Sequence, residues 1–305
     1  MTDTVEACVA ALKSGGLAIL PTETVYGLAA DAARPEAVAA IFEAKGRPRF
    51  NPLIAHVSDL RQADEIGMFD DAAHKLATAF WPGPLTLVTS VRSRNLVCDL
   101  ARAGLDSIAL RVPGHPGARA VISAFGGAVV APSANRSGRP SPTTFADALE
   151  ETGVFAAAAL DGGPCAVGVE STVVSIVDGG VSLLRPGAVT RAQIESLVGP
   201  LVDRQDGHRS PGRLAVHYAP EAPVRIDVEA VRAGEILLGF GPGVGDLRWS
   251  LSPTGNLREA AANLFRLFRE ADRAGASGIA VSPIPAEGLG EAINDRLRRA
   301  AGFVG

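Results

Sequence analysis

Lys45 and Arg47 lie close together at the end of a predicted helix, beside Gly46 and Pro48. Two neighbouring cations can bind a phosphate, because ammonium and guanidinium groups make charge-assisted hydrogen bonds to its oxygens. The same placement also suits a simple interaction with the negative end of the helix dipole. Lysine is rare in this chain, since only three of the 29 basic residues are lysines, and this singles out Lys45. From these residues alone the two interpretations are equally supported.

Arg111 alternates with apolar residues in the predicted strand Ser107–Val112. An unpaired buried charge is costly, so this arginine needs a carboxylate or phosphate partner unless the strand is an edge strand with one solvated face. Another polar segment, Pro21–Leu28, follows the apolar run Leu17–Leu20. Ligands bind at the carboxyl ends of strands in open α/β sheets, so this segment can hydrogen-bond a small polar ligand. From position alone, a polar surface turn is the simpler interpretation.

The loop 131–143 follows an apolar strand and is dense in hydroxyl, amide and glycine residues. Such a loop can hold phosphates through hydroxyl and backbone N–H groups. It is not a P-loop, because GxxxxGK[ST] does not occur, and the alternating glycines at 239–245 fail the GxGxxG spacing. The chain also has no GxSxG, HExxH or His–Cys nucleophile signature. We therefore expect catalysis by positioning and electrostatics rather than through a covalent enzyme intermediate.

The elements that carry these clusters alternate as in an α/β fold. Apolar residues at i, i+3, i+4 and i+7 predict a helix over Val5–Leu12, with Asp3 as its cap. A second helix is expected to begin at Pro35 and to end at Gly46. The other elements predicted in this part of the chain are strands at Leu53–Val57, Leu85–Val91, Ala128–Ala131 and Thr172–Val177, and a helix near 144–151.

The composition changes near Gly199. Residues 200–222 are rich in charged residues, glycine and proline and have little periodicity, which predicts a linker. We therefore predict a first domain over 1–199, a linker over 200–222 and a small α/β domain over 223–305. This last part is expected to contain strands at 235–240 and 277–282 and helices that start near Leu257, with Asn256 as cap, and near Glu291.

The overall composition limits the possible functional classes. A chain of 305 residues with 47% hydrophobic and 20% charged residues is typical of a two-domain globular protein. Its net charge of -4 argues against a dedicated nucleic-acid binder, which needs a basic excess. Three separated cysteines without a CxxC pair argue against a zinc site and favour a reducing compartment. Without a signal peptide or a long apolar run, we expect a cytoplasmic protein that does not span a membrane.

Taken in order, these segments resemble the YrdC family of threonylcarbamoyl-adenylate synthases, in its long two-domain form. The matching segments fall within residues 15–190 and read PTETVYGL, KGRP with NPL, FWPGPLTLV, SIALRVP, APSANRSGRPSPT, GVEST and LLRPG, and the linker adds SPG and HYAP. One such motif matches easily by chance, whereas the ordered set is specific. The resemblance implies an α/β fold: a YrdC-like twisted mixed sheet with flanking helices, plus a small Rossmann-like α/β C-terminal domain.

The resemblance implies an enzyme that makes L-threonylcarbamoyladenylate and pyrophosphate from L-threonine, bicarbonate and ATP. The amine of threonine takes up bicarbonate to give a carbamate, and the carbamate oxygen attacks the α-phosphate of ATP. Positioning and charge neutralisation would supply most of the barrier reduction. Mg²⁺ would accompany ATP, held mainly by its phosphates and not by protein side chains. The product would pass to a separate tRNA threonylcarbamoyl transferase, for the N6-threonylcarbamoyladenosine at tRNA position 37.

The resemblance also assigns roles to residues. Lys45 and Arg47 would be the catalytic cations, Arg111 would pair with the threonine carboxylate, and Ala131 would act through its backbone. The linker of the long family members lies across the active site, which would bring Tyr218 to the nucleotide. The threonine-binding residues would be Thr24, His56, Arg111, Ala131 and Ser171. The ATP-binding residues would be Arg47, Asn51, Ser107, Ser133, Asn135, Ser141, Arg185 and Tyr218.

The linker departs from the family pattern at two positions. Relatives often carry methionine after the glycine of SPG and a basic residue before the histidine of HYAP, where this chain has Arg213 and Val216. A basic contact to phosphate is therefore either lost or made by Arg213.

Two alternative functions remain open. A nucleic-acid-binding module would bind RNA tightly with a steep salt dependence, and the acidic balance leaves room for no more than a weak RNA contact. A carbamoyl-transfer domain of the hydrogenase-maturation type belongs to longer chains with zinc-finger segments, and no CxxC occurs here. The synthase interpretation differs from both, because it requires threonine and bicarbonate for pyrophosphate release.

Overall fold

Helices and strands alternate along the chain. The computed structural model describes residues 3–177, 179–202 and 217–303. The helices are α1 (Val5–Lys13), α2 (Pro35–Lys45), α3 (Leu60–Ile66), α4 (Asp71–Phe80), α5 (Pro116–Phe125), α6 (Phe145–Thr152), α7 (Arg191–Val198), α8 (Leu257–Arg273) and α9 (Leu289–Ala300). The strands are β1 (Leu17–Leu20), β2 (Gly27–Asp31), β3 (Ile54–His56), β4 (Leu85–Ser90), β5 (Ser107–Arg111), β6 (Val129–Val130), β7 (Ala156–Ala159), β8 (Thr172–Ser175), β9 (Ser182–Arg185), β10 (Val224–Arg225), β11 (Glu235–Phe240), β12 (Ser250–Ser252) and β13 (Gly278–Val281).

Nine of the described strands form one mixed sheet in the order β7-β1-β2-β6-β3-β5-β4-β8-β9. The pairs β3–β5, β4–β8 and β1–β7 are parallel, and the remaining neighbours are antiparallel. In the β3–β5 pair, His56 lies opposite Arg111. Two predicted site residues therefore stand side by side where these parallel strands end, and the predicted mixed α/β class is confirmed.

The helix α2 leads from β2 towards the predicted phosphate-binding cations. Pro35 occupies its first turn, where a missing N–H costs nothing, and Gly46 ends it with a left-handed φ of 58°. Val38 and Ile41 lie on its buried face. Lys45, in the last turn, is also buried, so its ammonium group is not simply a solvated partner of the helix dipole.

The helix α1 begins differently from the prediction. Thr4 is its cap, because the Thr4 hydroxyl accepts a hydrogen bond from the backbone N–H of Ala7. The carboxylate of Asp3, which was predicted to cap this helix, instead accepts from the backbone N–H of Asp161 at 2.7 Å. A longer-range contact has therefore replaced the local one.

Residues 223–303, called the C-terminal domain below, contain a separate four-stranded sheet in the order β10-β13-β11-β12, in which every pairing is parallel. The long helix α8 begins at the predicted cap Asn256 and buries Leu264 and Phe268. The carboxylate of Glu259, three residues after the cap, forms no capping box, because it accepts from the hydroxyl of Ser252 at 2.6 Å while the backbone N–H of Asn256 donates to the same hydroxyl. Within the described ranges, no helix combines the length and the apolarity needed to cross a bilayer.

Most of the predicted linker lies outside the described residues. This includes the SPG motif and the two departures at Arg213 and Val216. His217 and Tyr218, at the end of the linker, are described and buried.

Candidate active site

A cavity lies at the carboxyl ends of β3 and β5, between the large sheet and the described end of the linker. Its wall contains members of both predicted binding sets, drawn from segments far apart in sequence. The predicted site residues that line it are Thr24, Arg47, His56, Arg111, Ala131, Ser133, Ser171, Arg185 and Tyr218.

The other predicted site residues do not line the cavity. Lys45 lies directly behind the wall, where its ammonium group donates to the backbone carbonyls of Ser133 and Asn135. Ser141, also behind the wall, donates from its hydroxyl to the carboxylate of Glu170. Lys45 therefore holds the loop 131–143 in place and directs these hydrogen bonds into the protein.

Ser107 and Asn51 also lie outside the cavity wall. Ser107 begins β5 whereas Arg111 ends it, so the two are about 13 Å apart along the strand. The structure thus places Ser107 opposite Ser90 and not with the other predicted ATP-binding residues. The side chain of Asn51 is buried, and its Oδ1 has no hydrogen-bond partner among the described residues.

The guanidinium group of Arg111 is held by protein atoms on three sides. It donates to the Thr24 hydroxyl at 3.0 Å, to the Glu23 carboxylate at 2.5 Å and to the carbonyl oxygen of Gly83 at 3.2 Å. The family resemblance assigns Arg111 to the carboxylate of a ligand, but the chain itself also supplies a carboxylate partner. Glu23 was missed, although it is the one carboxylate in the segment Pro21–Leu28.

Glu23 is itself fixed in an ionised form. Its second oxygen accepts from the backbone N–H of Gly114 at 2.8 Å. Burial raises the pKa of this carboxyl. The charge and hydrogen bond of Arg111 lower it by more than burial raises it, so the pKa lies below its usual value. The Glu23–Arg111 pair therefore presents a rigid cation beside an anion at one end of the cavity.

His56 is a neutral histidine at the same end. Its side chain is buried, and its Nδ1 lies 3.2 Å from the carbonyl oxygen of Ile54, so Nδ1 carries the proton that is donated. Burial, followed by the positive charge of Arg111, lowers the pKa of His56 to about 3. The imidazole adds a polar surface to the cavity without adding a second positive charge.

His56 should make the protein sensitive to acid. In the unfolded chain it binds a proton near pH 6.5, whereas its folded pKa is depressed to about 3. As pH falls from 6.5 towards 3, the unfolded state is protonated first, so stability falls by at most about 1.4 kcal/mol per pH unit. We expect urea unfolding between pH 6.5 and 5 to show a steeper loss for the wild type than for His56→Gln. Above pH 7.5 the two slopes should coincide; equal slopes in the acid range would contradict the assignment.

The other end of the cavity is cationic. Arg47 donates from Nη2 to the carbonyl oxygen of Pro52 at 3.2 Å, whereas its buried Nε has no partner among the described residues. Burial lowers the pKa of Arg47 to about 10, so the group stays charged at neutral pH. Arg185 donates from Nε and Nη2 to the carbonyl oxygen of Ser171, at 3.1 and 2.9 Å. These two arginines give the site a positive end that suits phosphate oxygens.

Three buried polar atoms on the cavity wall lack a hydrogen-bond partner within the described ranges. They are Nε of Arg47, Nδ1 of His217 and the hydroxyl of Tyr218. Buried polar atoms are nearly always paired in folded proteins, so three orphans around one cavity indicate a polar ligand. Tyr218 also has a positive φ of 66°, a conformation that costs a large side chain free energy and is concentrated at functional sites.

The donor set around the cavity suits a metal that is held by a ligand. Within the ranges that the structure describes, no three histidine, cysteine or acidic side chains lie close enough to bind a metal ion together. The carboxylate of Glu170, which lines the cavity, is engaged by Arg296, and that of Glu23 is engaged by Arg111. Mg²⁺ commonly keeps several waters and binds through substrate phosphates, which fits this arrangement.

Comparisons with known proteins agree with the segments identified in the sequence. The Sua5/YciO/YrdC family model, described as "Telomere recombination", matches residues 10–187. A second model, described as "Threonylcarbamoyl-AMP synthase, C-terminal domain", matches residues 189–302. Together the two models account for nearly all of the described chain.

Individual relatives resemble the chain over nearly its full length. A Bacillus subtilis protein named threonylcarbamoyl-AMP synthase is 38% identical, over 96% of this chain and 91% of its own. A Pyrococcus abyssi protein of the same name is 37% identical, over 96% and 92%. The crystal structure of P. abyssi Sua5 complexed with L-threonine superposes with a TM-score of 0.88 at 35% identity, covering 98% of this chain and 94% of that one. The chain therefore belongs to the Sua5/YciO/YrdC family.

Proposed function

We propose that the chain is an L-threonylcarbamoyladenylate synthase, which forms threonylcarbamoyl-AMP and pyrophosphate from L-threonine, bicarbonate and ATP. One observation carries the proposal: a single cavity has a polar end at Arg111 and a cationic end at Arg47 and Arg185, and buried polar atoms on its wall have no partner among the described residues. The names of the relatives and the L-threonine complex of P. abyssi Sua5 support the same activity.

The threonine end is matched to a zwitterion. Arg111 is fixed by Glu23 and Thr24 and presents its positive charge in one orientation, so it can bind a carboxylate at little cost in side-chain entropy. The neutral His56 leaves Arg111 as the cation of this end, which avoids repulsion of the substrate amine. Ser171, whose hydroxyl lies 2.8 Å from that of Thr86, also lines the cavity.

The nucleotide end is matched to a triphosphate. Arg47 supplies a charged donor that is unused by the described protein, and Ser133 supplies a hydroxyl from the loop 131–143. Lys45 fixes this loop from behind by its bonds to two carbonyls. The arginines neutralise charge on the phosphates as pyrophosphate leaves, and Mg²⁺, when bound to those phosphates, supplies further neutralisation.

Attack of the carbamate on the α-phosphate requires the two substrates to be held in line. The β3–β5 register sets His56 beside Arg111, and the loop 131–143 lies against the same cavity, so both substrates are bound by one rigid frame. Proximity of this kind can supply about 7 kcal/mol or more of the barrier reduction. This chain offers no covalent nucleophile signature, and none is needed for this chemistry.

The remaining assignments concern the cellular context. We propose that the product passes to a separate tRNA threonylcarbamoyl transferase, because a mixed anhydride of this type is an activated acyl donor. The enzyme would act in the cytoplasm, where ATP and tRNA meet, and would make at most a weak contact with RNA, since the net charge is -4.

Pyrophosphate release tests the proposal directly. We expect release from ATP to require both L-threonine and bicarbonate, and threonylcarbamoyl-AMP to appear in equal amount by mass spectrometry. Omission of either substrate is the control and should reduce release to the background rate. Pyrophosphate release that is independent of threonine would disprove the proposal.

A further inference from the structure

One arginine of the C-terminal domain contacts residues that line the cavity. Arg296 lies on α9 and is fully buried. It donates from Nε to the carboxylate of Glu170 and from Nη1 to the carbonyl oxygen of Pro186, each at 2.9 Å. Its guanidinium carbon lies 5.4 Å from the ring centre of Tyr218. One side chain thus joins three separate segments, each of which carries residues of the cavity wall.

Glu170 links Arg296 to the loop 131–143. It lines the cavity, and its other oxygen accepts the hydrogen bond from the Ser141 hydroxyl. Burial raises the pKa of Glu170. The charges of Arg296 and Arg185 lower it by more than burial raises it, so the pKa lies below its usual value. An ionised carboxylate can only accept hydrogen bonds, so the direction of the Ser141 hydroxyl proton is fixed.

The backbone of the same segment also packs against the C-terminal domain. Gly168 has a left-handed φ of 78°, and a Cβ atom at this position would lie 2.3 Å from the Cα of Ala262 on α8. Only glycine allows the segment 168–171 to approach the helix this closely. The C-terminal domain therefore touches this segment at two points, through the α8 backbone and through Arg296.

We propose that Arg296 is a positioning residue for the nucleotide half of the active site, so that the C-terminal domain takes part in shaping that half. The inference rests on the proposed function. A guanidinium group binds two acceptors with a fixed planar geometry, which an ammonium group cannot reproduce. In the described part of the chain, no hydrogen bond joins Arg296 to Arg111, Thr24 or His56, so the group that would bind the threonine carboxylate should not depend on it.

The test compares Arg296→Lys with Arg273→Lys in the full-length protein. Arg273 lies in the same domain and binds Asp147 and Glu150 across the interface, and none of its ion pairs in the described part of the chain reaches a residue of the cavity wall. For Arg296→Lys we expect the KM for ATP, and the Kd for the non-hydrolysable analogue α,β-methylene-ATP, to rise about tenfold or more, with the KM for threonine unchanged. For Arg273→Lys all three constants should stay at the wild-type values.

A second variant keeps the inference testable if Arg296→Lys folds poorly. Glu170→Gln preserves the shape of the side chain but removes the charge that Arg296 binds, and we expect the same selective loss towards ATP. The KM for ATP of the double variant should then be no higher than that of the more impaired single variant, because both changes break the same contact between Arg296 and Glu170.

The inference is overturned if Arg296→Lys and Glu170→Gln change stability alone, or if they raise the KM values for ATP and threonine equally. A wild-type protein that binds the analogue but needs no threonine for pyrophosphate release would disprove the proposed function instead. The positioning role would still be decided in that case by the analogue affinities of the variants.

Discussion

Arg111→Ala should reduce kcat/KM for threonine by about 100-fold or more, because it removes a charged hydrogen-bond donor from the amino-acid end of the cavity. It should also lower the free energy of unfolding by about 3–5 kcal/mol, since the largely buried carboxylate of Glu23, whose side chain is 16% exposed, is left without its cation. Threonine-dependent pyrophosphate release and urea unfolding measure the two effects separately.

Two further variants separate the loss of function from the loss of stability. Glu23→Gln in the Arg111→Ala background removes the stranded charge and should recover part of the stability, but no activity. Arg102→Ala removes another fully buried arginine, one that binds Asp99 and the carbonyl oxygen of Leu105 outside the cavity. It should lower stability while the folded fraction keeps the wild-type KM for threonine. Wild-type kcat/KM in Arg111→Ala would remove Arg111 from the site.

Arg47→Ala, unlike Arg111→Ala, should impair ATP binding without destabilising the fold. The side chain gives up one hydrogen bond to the carbonyl oxygen of Pro52 and otherwise keeps a buried charged donor without a partner among the described residues. We expect the KM for ATP to rise about 100-fold, since a charged hydrogen bond to phosphate is lost, while the free energy of unfolding stays equal or increases. Steady-state kinetics with ATP varied, together with urea unfolding, test both parts.

Arg49→Ala is the matched control for this change. Arg49 lies two residues away in the same loop and is exposed, so its removal should alter neither the KM for ATP nor stability. If Arg47→Ala unfolds more easily but binds ATP normally, Arg47 is a structural residue and the phosphate end of the cavity must be reassigned.

Local sequence determined the elements whose signals span only a few residues. Pro35 and Gly46 bounded α2, Asn256 began α8, and the apolar runs gave β1 and β5, because capping and periodicity act over one or two turns. The ordered motifs were enough to identify the family, and the comparisons confirm that resemblance. Strands without such signals were missed: β7 consists of four alanines and is defined by its pairing with β1.

The partners of the charged residues were decided by the tertiary structure. Lys45 and Arg47 are two positions apart in the chain, yet one bonds inward to a loop and the other lines the cavity. Arg296 and Glu170 are 126 positions apart and gave no sign of each other in the sequence. A buried charge needs a partner because an unpaired one is costly, but the identity of that partner depends on how distant segments pack. The sequence by itself therefore determined the family and the residue types of the site, whereas the packing of the two domains decided which residues face the substrates and which hold those residues in place.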